Sequence, residues 1–344
     1  MGTRSASSLS TIAATLGVSK AAVSLALGGK ARAGGLSRAL EAKILAHCRR
    51  IHYLPNIHAR RLGSRLAGNV GFLLEETVNI GHVSPFDEHC MSLIVGGIGA
   101  AADRAGFRFS MQFFRPGMAE AKVFDWFRTR EIDGLIYYGF AMPPRWLARF
   151  RRERRQVVGI GIDPALGLPT VNIDNFAAAQ ALTEQVVRRG CRRFFYLGGR
   201  PESYPGAQRY LGFRAALAKH GIRFFKRDFA VGGFSEKTAY ALIRKRLGAG
   251  PFTNDAIICA NDEMAVGAIL ALREAGIAVP GRVAVAGADN SRIGSYVTPA
   301  LTTFDNLPFE QGREAFNLLH GLIRGDPVPA AVTLQSSLCL RESA

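Results

Sequence analysis

The stretch LSTIAATLGVSKAAVSLAL, residues 9–27, reads as two short helices joined by a tight turn. Ala13 is small enough to let two helices cross closely, Gly17 can take the positive φ that ends the first, and Ser19 is placed to cap the second. Ile12, Leu16, Val18, Val23 and Leu27 supply an apolar seam between them. Lys20, Ala21, Ser24 and Leu25 then face outward, on the side that a helix-turn-helix inserts into the DNA major groove. Spacing alone also allows an ordinary helical hairpin in a globular core. Charge separates the two readings: through Asn69 the chain carries eleven Lys and Arg against the single carboxylate Glu41, which is +10 of a formal net charge of +17. Such a concentration favours a polyanionic partner, and with this helical spacing the partner is nucleic acid.

Working outward, LSRALEAKILAHCRRIHYLP (36–55) reads as a third helix, with Leu36, Leu40, Ile44, Leu45 and Cys48 on one face and Arg49 and Arg50 at its basic end. Three helices can enclose a small core. The following NIHARRLGS has too few apolar positions to stand alone and reads as a linker that becomes helical when held. From Val70 the texture changes. VGFLL, FRFSMQF, GLIYYGF, QVVGIGI, TVNID, RRFFYLGG, AIICAND and VAVAGAD look like strands, most of them separated by helical stretches. That alternation indicates a parallel sheet with helices on both faces. Several strands end in polar residues or Gly, and ligands of such sheets bind outside the strands' carboxyl ends.

With 48% hydrophobic and 21% charged residues among 344, the chain should bury a sizeable interior. No apolar run approaches the roughly 18–20 residues that span a bilayer, and no secretory signal is legible, so a cytoplasmic protein without a membrane partner is expected. The five cysteines are odd in number, scattered and free of CxxC pairs, which favours buried thiols over zinc or a disulfide framework. His47, His52 and His58 lack metal-ligand spacing. Neither GxGxxG after a strand, GxxxxGK[ST], HExxH nor GxSxG occurs, so no enzyme, catalytic residue, metal or cofactor is expected. The basic run RWLARFRRERR (145–155) reads as a solvated helix face, and GGIGAAADRAG around Gly96 as close helix packing.

The ordered set STIAATLGVSKAAVSLAL, YLPNIHARRLGS, DGLI, VNIDN, RRFFYLGG, the R-x-x-GF at Arg209, AIICANDEMAVGAI, VPGRVAVAGADNS and PALTTF resembles the lactose-repressor (LacI) family of transcription regulators over nearly the whole chain. The resemblance implies a helix-turn-helix headpiece (1–54), a hinge helix or linker (55–68) and an α/β core (69–344) of two parallel-sheet subdomains like those of periplasmic sugar-binding proteins. It puts the first subdomain at about 69–172 and 305–330 and the second at about 173–304 and 331–344, with chain crossings near 171–174, 303–306 and 330–333. It also implies that Lys20, Ala21 and Leu25 read bases, that Ser19 and Ser24 contact phosphate, and that Leu62, with Ala59 beside it, wedges into the minor groove. Arg60 in the same hinge is expected on phosphate. Leu62 is also readable as a linker leucine against the core. Leu25, and the Gly28–Gly29 pair, depart from the residues common in the family, so base preference does not transfer.

The same resemblance places an effector between the subdomains. Phe86, Asp163, Asp174, Arg209, Asn261, Asp262, Asp289 and Asn306 match positions facing the ligand, and Tyr138 and Phe140, at the end of the strand GLIYYGF, are further aromatics expected to reach the cleft. Carboxylates, one Arg and aromatic faces suit a hydroxyl-rich neutral ligand, a sugar or related metabolite. Asp174 and Asp289 are also readable as simple helix caps. The implied function is sequence-specific regulation of transcription, most simply repression, by a homodimer on double-stranded operator DNA under control of that effector. The terminal SSLCLRESA shows no leucine heptad for a tetramerising coil. The rivals are an enzyme on a doubly wound sheet, which lacks its motifs, and a transport-type sugar-binding protein, which does not explain the basic headpiece.

Overall fold

A computed structural model describes residues 8–53, 66–75, 89–115, 118, 120–139 and 142–344. The expected sites at Ala59, Arg60, Leu62, Phe86 and Phe140 lie outside the described residues. The chain divides into two compact units, Met1–Ala67 and Gly68–Ala344.

In the first unit, α1 (Leu9–Leu16), α2 (Lys20–Leu27) and α3 (Arg38–Arg50) enclose a core of Ile12, Ala13, Val23, Ala26, Ile44 and Cys48. Each helix begins at a serine whose hydroxyl accepts a backbone N–H: Ser8 from Thr11, Ser19 from Ala22 and Ser37 from Leu40. Each such cap is worth about 1 kcal/mol. Gly17 ends α1 in the left-handed region, φ 67°, a conformation open to glycine at no steric cost. The chain then turns so that α1 and α2 are bent by 109°, within the range of a helix-turn-helix. No single helix among the described residues is long and apolar enough to cross a membrane.

The second unit holds two parallel sheets. The first runs in the order β2 (Arg108–Phe114), β1 (Asn69–Glu75), β3 (Gly134–Tyr138), β4 (Val157–Ile160), β5 (Thr170–Ile173) and β11 (Ala331–Leu334). Side chains alternate across it. Phe72, Leu74 and Ile136 pack on the face covered by α4 (His89–Arg104) and α12 (Pro308–Arg324), while Leu73, Leu135 and Tyr137 pack on the other face with Trp146 and Phe150. Burial on both faces explains why these strands are continuous apolar runs. The Gly-rich run is indeed a packing device: a Cβ on Gly97 of α4 would overlap the Phe309 backbone, and one on Gly312 of α12 the Ile94 carbonyl. In the basic run, α6 (Pro144–Arg152) buries Trp146, Leu147 and Phe150 and pairs Arg149 with Glu120 and Glu153.

The second sheet runs β7 (Phe229–Val231), β6 (Phe194–Gly198), β8 (Ala256–Cys259), β9 (Ala284–Ala286). Helices α7 (Asn175–Arg188), α8 (Tyr204–Lys219), α9 (Glu236–Gly248) and α10 (Asp262–Glu274) accompany it. Beside it, β10 (Thr303–Phe304) pairs antiparallel with β12 (Leu338–Cys339). The eight strands legible in the sequence are all present. The chain passes between the lobes inside β5, whose Val171 buries in the first core and Ile173 in the second, and again between β10 and α12. The last passage differs from the expected 330–333. Residues 331–334, assigned from sequence to the second subdomain, extend the first sheet, because Leu334 is still in register with Ile173, and the chain leaves only after it.

Candidate DNA-contact surface and ligand cleft

On α2, Lys20, Ala21 and Ser24 are exposed while Val23 and Ala26 are buried, so the helix has one face toward the unit's core and one toward solvent. Ser19 is exposed and uses its oxygen as the cap at 3.1 Å; the hydroxyl hydrogen is still available to a phosphate, so capping and phosphate contact are compatible in one residue. Leu25 is only half-buried, and its methyls lie against Gly34, where a Cβ would collide with them. That contact ties the outer face of α2 to the loop before α3. Arg49 and Arg50 are exposed at the end of α3, with Arg50 3.1 Å from the ring of His47.

In the second unit a cleft opens between the two lobes at the carboxyl ends of the strands, where both sheets leave backbone and polar groups facing one space. Tyr138, Arg209, Asn261, Asp262, Asp289 and Asn306 all line it. Arg209, on α8, is 5% exposed and sits at its centre. Its Nε donates to Asn175 at 2.7 Å, Nη1 to the Ala260 carbonyl, and Nη2 to Asp289 at 2.9 Å and Asn306 at 3.3 Å. Asn306 in turn donates to the sulfur of Cys90 on α4. One guanidinium therefore ties α7, the end of β8, the end of β9 and the passage after β10 together, and through Asn306 reaches the first lobe. Asp289, left open in the sequence between a ligand contact and a cap, bonds Arg209 instead of capping a helix. It holds φ at 116°, a strained value for a side-chain-bearing residue, while its N–H donates to Phe304.

Asp262 is fully buried and accepts from Thr303 at 2.6 Å and from the Ser291 N–H at 2.7 Å. Burial, reinforced by the nearby charge of Asp289, pushes its carboxyl up to about 7 against the pull of those hydrogen bonds. Asn261 caps α10 by accepting from Met264 and donates to the Phe234 carbonyl. Two expected contacts fall elsewhere. Asp163 caps the short turn Pro164–Leu166 and Asp174 caps α7, and neither lines the cleft; their charges, after burial, raise the phenol of the neighbouring Tyr204. Short carboxylates preceding a helical turn satisfy its N–H groups first.

The cleft also contains residues that the sequence reading passed over: Asn172, Asn175, Ser203, Phe234 and Gln311. Asn172 and Asn175 belong to VNIDN, a motif already singled out, so alternation along β5 was a usable signal. Phe234 follows a Gly–Gly turn with φ 65°, and its ring fills the space over Gly199. An aromatic face held in a strained backbone at a cleft is the kind of feature that spacing does not reveal.

Residues 183–344 match the periplasmic binding protein-like domain family. Over 341 residues, 97% of this chain and 97% of that one, the sequence is 28% identical to the HTH-type transcriptional regulator CelR of Thermobifida fusca. A CelR–cellobiose complex shares the fold with a TM-score of 0.74 at 25% identity, covering 98% of this chain and all of that one. A lac repressor dimer bound to operator and the anti-inducer ONPF superposes with a TM-score of 0.86 at 21% identity, covering 98% of each.

Proposed function

We propose that this chain is a transcription regulator of the LacI family, acting in the cytoplasm as a homodimeric repressor whose grip on operator DNA changes when a small carbohydrate enters the cleft. The observation that carries the reading is the capped helix pair with Lys20, Ala21 and Ser24 exposed on a strongly basic unit. Lys20 is assigned to guanine O6 or N7, Ala21 and Leu25 to thymine methyls, and Ser19 and Ser24 to phosphate. Two such helices in a dimer meet half-sites about one turn of duplex apart. Ala59, Arg60 and Leu62 are assigned to the hinge, with Leu62 entering the minor groove.

A carbohydrate is the proposed effector because a CelR structure holds cellobiose and because the cleft here combines hydrogen-bonding side chains with the rings of Tyr138 and Phe234. Ligand and DNA then bias one two-state element, the closure of the lobes, from separate sites. No catalytic role is assigned. The test is anisotropy titration of full-length protein on genomic promoter fragments against scrambled duplex, over a salt series, with and without simple sugars. Sequence discrimination, loss of affinity with rising salt and a sugar-dependent shift are expected. Equal affinity for all duplexes under every condition removes the reading.

A further inference from the structure

Asn172 sits in the middle of β5, between Val171 and Ile173, each buried in the core of one lobe. It lines the cleft and is 5% exposed. Its Nδ2 donates to the Ile162 carbonyl at 3.1 Å, which fixes the orientation of the amide. Its Oδ1 is buried and has no hydrogen-bond partner among the described residues. An acceptor left in that state is costly, and an apolar side chain at this strand position would carry no such cost. The cost is removed when a bound molecule donates a hydrogen bond.

The charges of the cleft point to what that molecule is. Arg209 is the one cation among the described residues lining it, and its charge is balanced by Asp289 at 2.9 Å while its donors reach Asn175, Ala260 and Asn306. Among the described residues a carboxylate or phosphate would find no unpaired positive charge, and it would meet the negative end of the Asn172 carbonyl dipole. A hydroxyl group meets a waiting acceptor.

We infer that Asn172 is a specificity-determining residue of the cleft: its Oδ1 accepts from a hydroxyl of an uncharged ligand, and the site rejects the acidic and phosphorylated derivatives of that ligand. The inference rests on the effector role proposed above. It is tested on the full chain by thermal shift and calorimetry with glucose, galactose, xylose, maltose and cellobiose, with glucuronate, galacturonate and the 6-phosphates of glucose and galactose, and then with monodeoxy analogues of the tightest binder.

Neutral sugars should bind at least tenfold more tightly than the charged compounds, and one deoxy position should lose roughly tenfold or more. In Asn172→Leu, the parent sugar should fall to the level of that deoxy analogue, leaving the two within about twofold. Asn172→Ala is read in the same way should the Leu variant fail to fold. Charged derivatives binding as tightly as neutral ones, or a deoxy penalty that survives in the variant, overturns the inference while leaving the effector role standing. Absence of binding by every compound overturns the effector role itself, and the inference with it.

Discussion

Lys20 and Arg209 are both cations at positions matched to contacts, yet the structure treats them in opposite ways. Lys20 stands exposed on α2, whereas Arg209 is 5% exposed and bonded to Asn175, Ala260, Asp289 and Asn306. The difference follows from where each charge rests without a partner. A cation meant for a phosphate-lined groove stays in water, where it costs nothing to keep. A cation inside a cleft must be paired within the protein, because a bare buried charge is prohibitively expensive. Charge in the first unit is therefore left open to solvent, as the proposed contact surface requires, and the charge of Arg209 in the second is paired inside the protein, as the proposed site for an uncharged guest requires.

The comparison breaks most visibly at Arg209. Arg209→Ala should destabilise the second unit by about 3–5 kcal/mol, since it removes the buried guanidinium from which Asp289, Asn175 and the Ala260 carbonyl accept, and thermal denaturation measures this directly. A loss below 1 kcal/mol would mean that the guanidinium is not a structural tie. Asp262 offers a second probe of the same buried network. Its carboxyl titrates near 7 when folded and in the ordinary acidic range when unfolded, so its contribution is fully present below about pH 4 and is lost as pH rises toward and through 7. Asp262→Asn should flatten that part of the stability-versus-pH curve, a change of a few kcal/mol across the window; an unchanged slope in chemical denaturation at stepped pH values rules out Asp262 as its source.

The exposed side of the comparison should respond differently. Lys20→Ala is expected to leave the melting temperature unchanged and to relax preference at one base pair by about tenfold, read by competition between operator variants. Uniform weakening across all sequences would make Lys20 a phosphate contact instead. Ser19→Ala should cost about 1 kcal/mol of first-unit stability through the lost cap at Ala22, together with a modest loss of DNA affinity. A loss of affinity without any loss of stability would separate the two roles assigned to that hydroxyl.

What was legible in the sequence follows the same division. The helix-turn-helix is local: Ser8, Gly17 and Ser19 act within three or four residues of themselves, so pattern and cap chemistry suffice. Strands buried on both faces, such as NVGFLLE and GLIYY, announce themselves as apolar runs. The three-residue β7 and the two-residue β10 and β12 are too short for periodicity to register. β11 alternates between exposed and half-buried at a sheet edge, and its partner β5 lies some 160 residues away, so nothing local assigns it to the first sheet.

The cleft was legible by place and less so by role. The family resemblance, with strand-end polar residues at AND and GAD, led to Arg209, Asn261, Asp262, Asp289 and Asn306, all of which line it. That Arg209 bonds Asp289 and that Asp163 and Asp174 serve as caps outside the cleft are facts of three-dimensional pairing. A carboxylate's two oxygens go to the nearest strong donors, and sequence separation does not say which those are.

The account stands most directly on a comparison of the full chain with residues 69–344, each titrated with operator-containing duplex and each melted with and without the tightest-binding sugar. The full chain should do both, and the shorter one should keep the sugar-dependent rise in melting temperature while losing all discrimination between duplexes. A truncated protein that still selects its operator, or one that folds but no longer responds to the sugar, would contradict the division of labour between an exposed basic helix and an internally paired cleft.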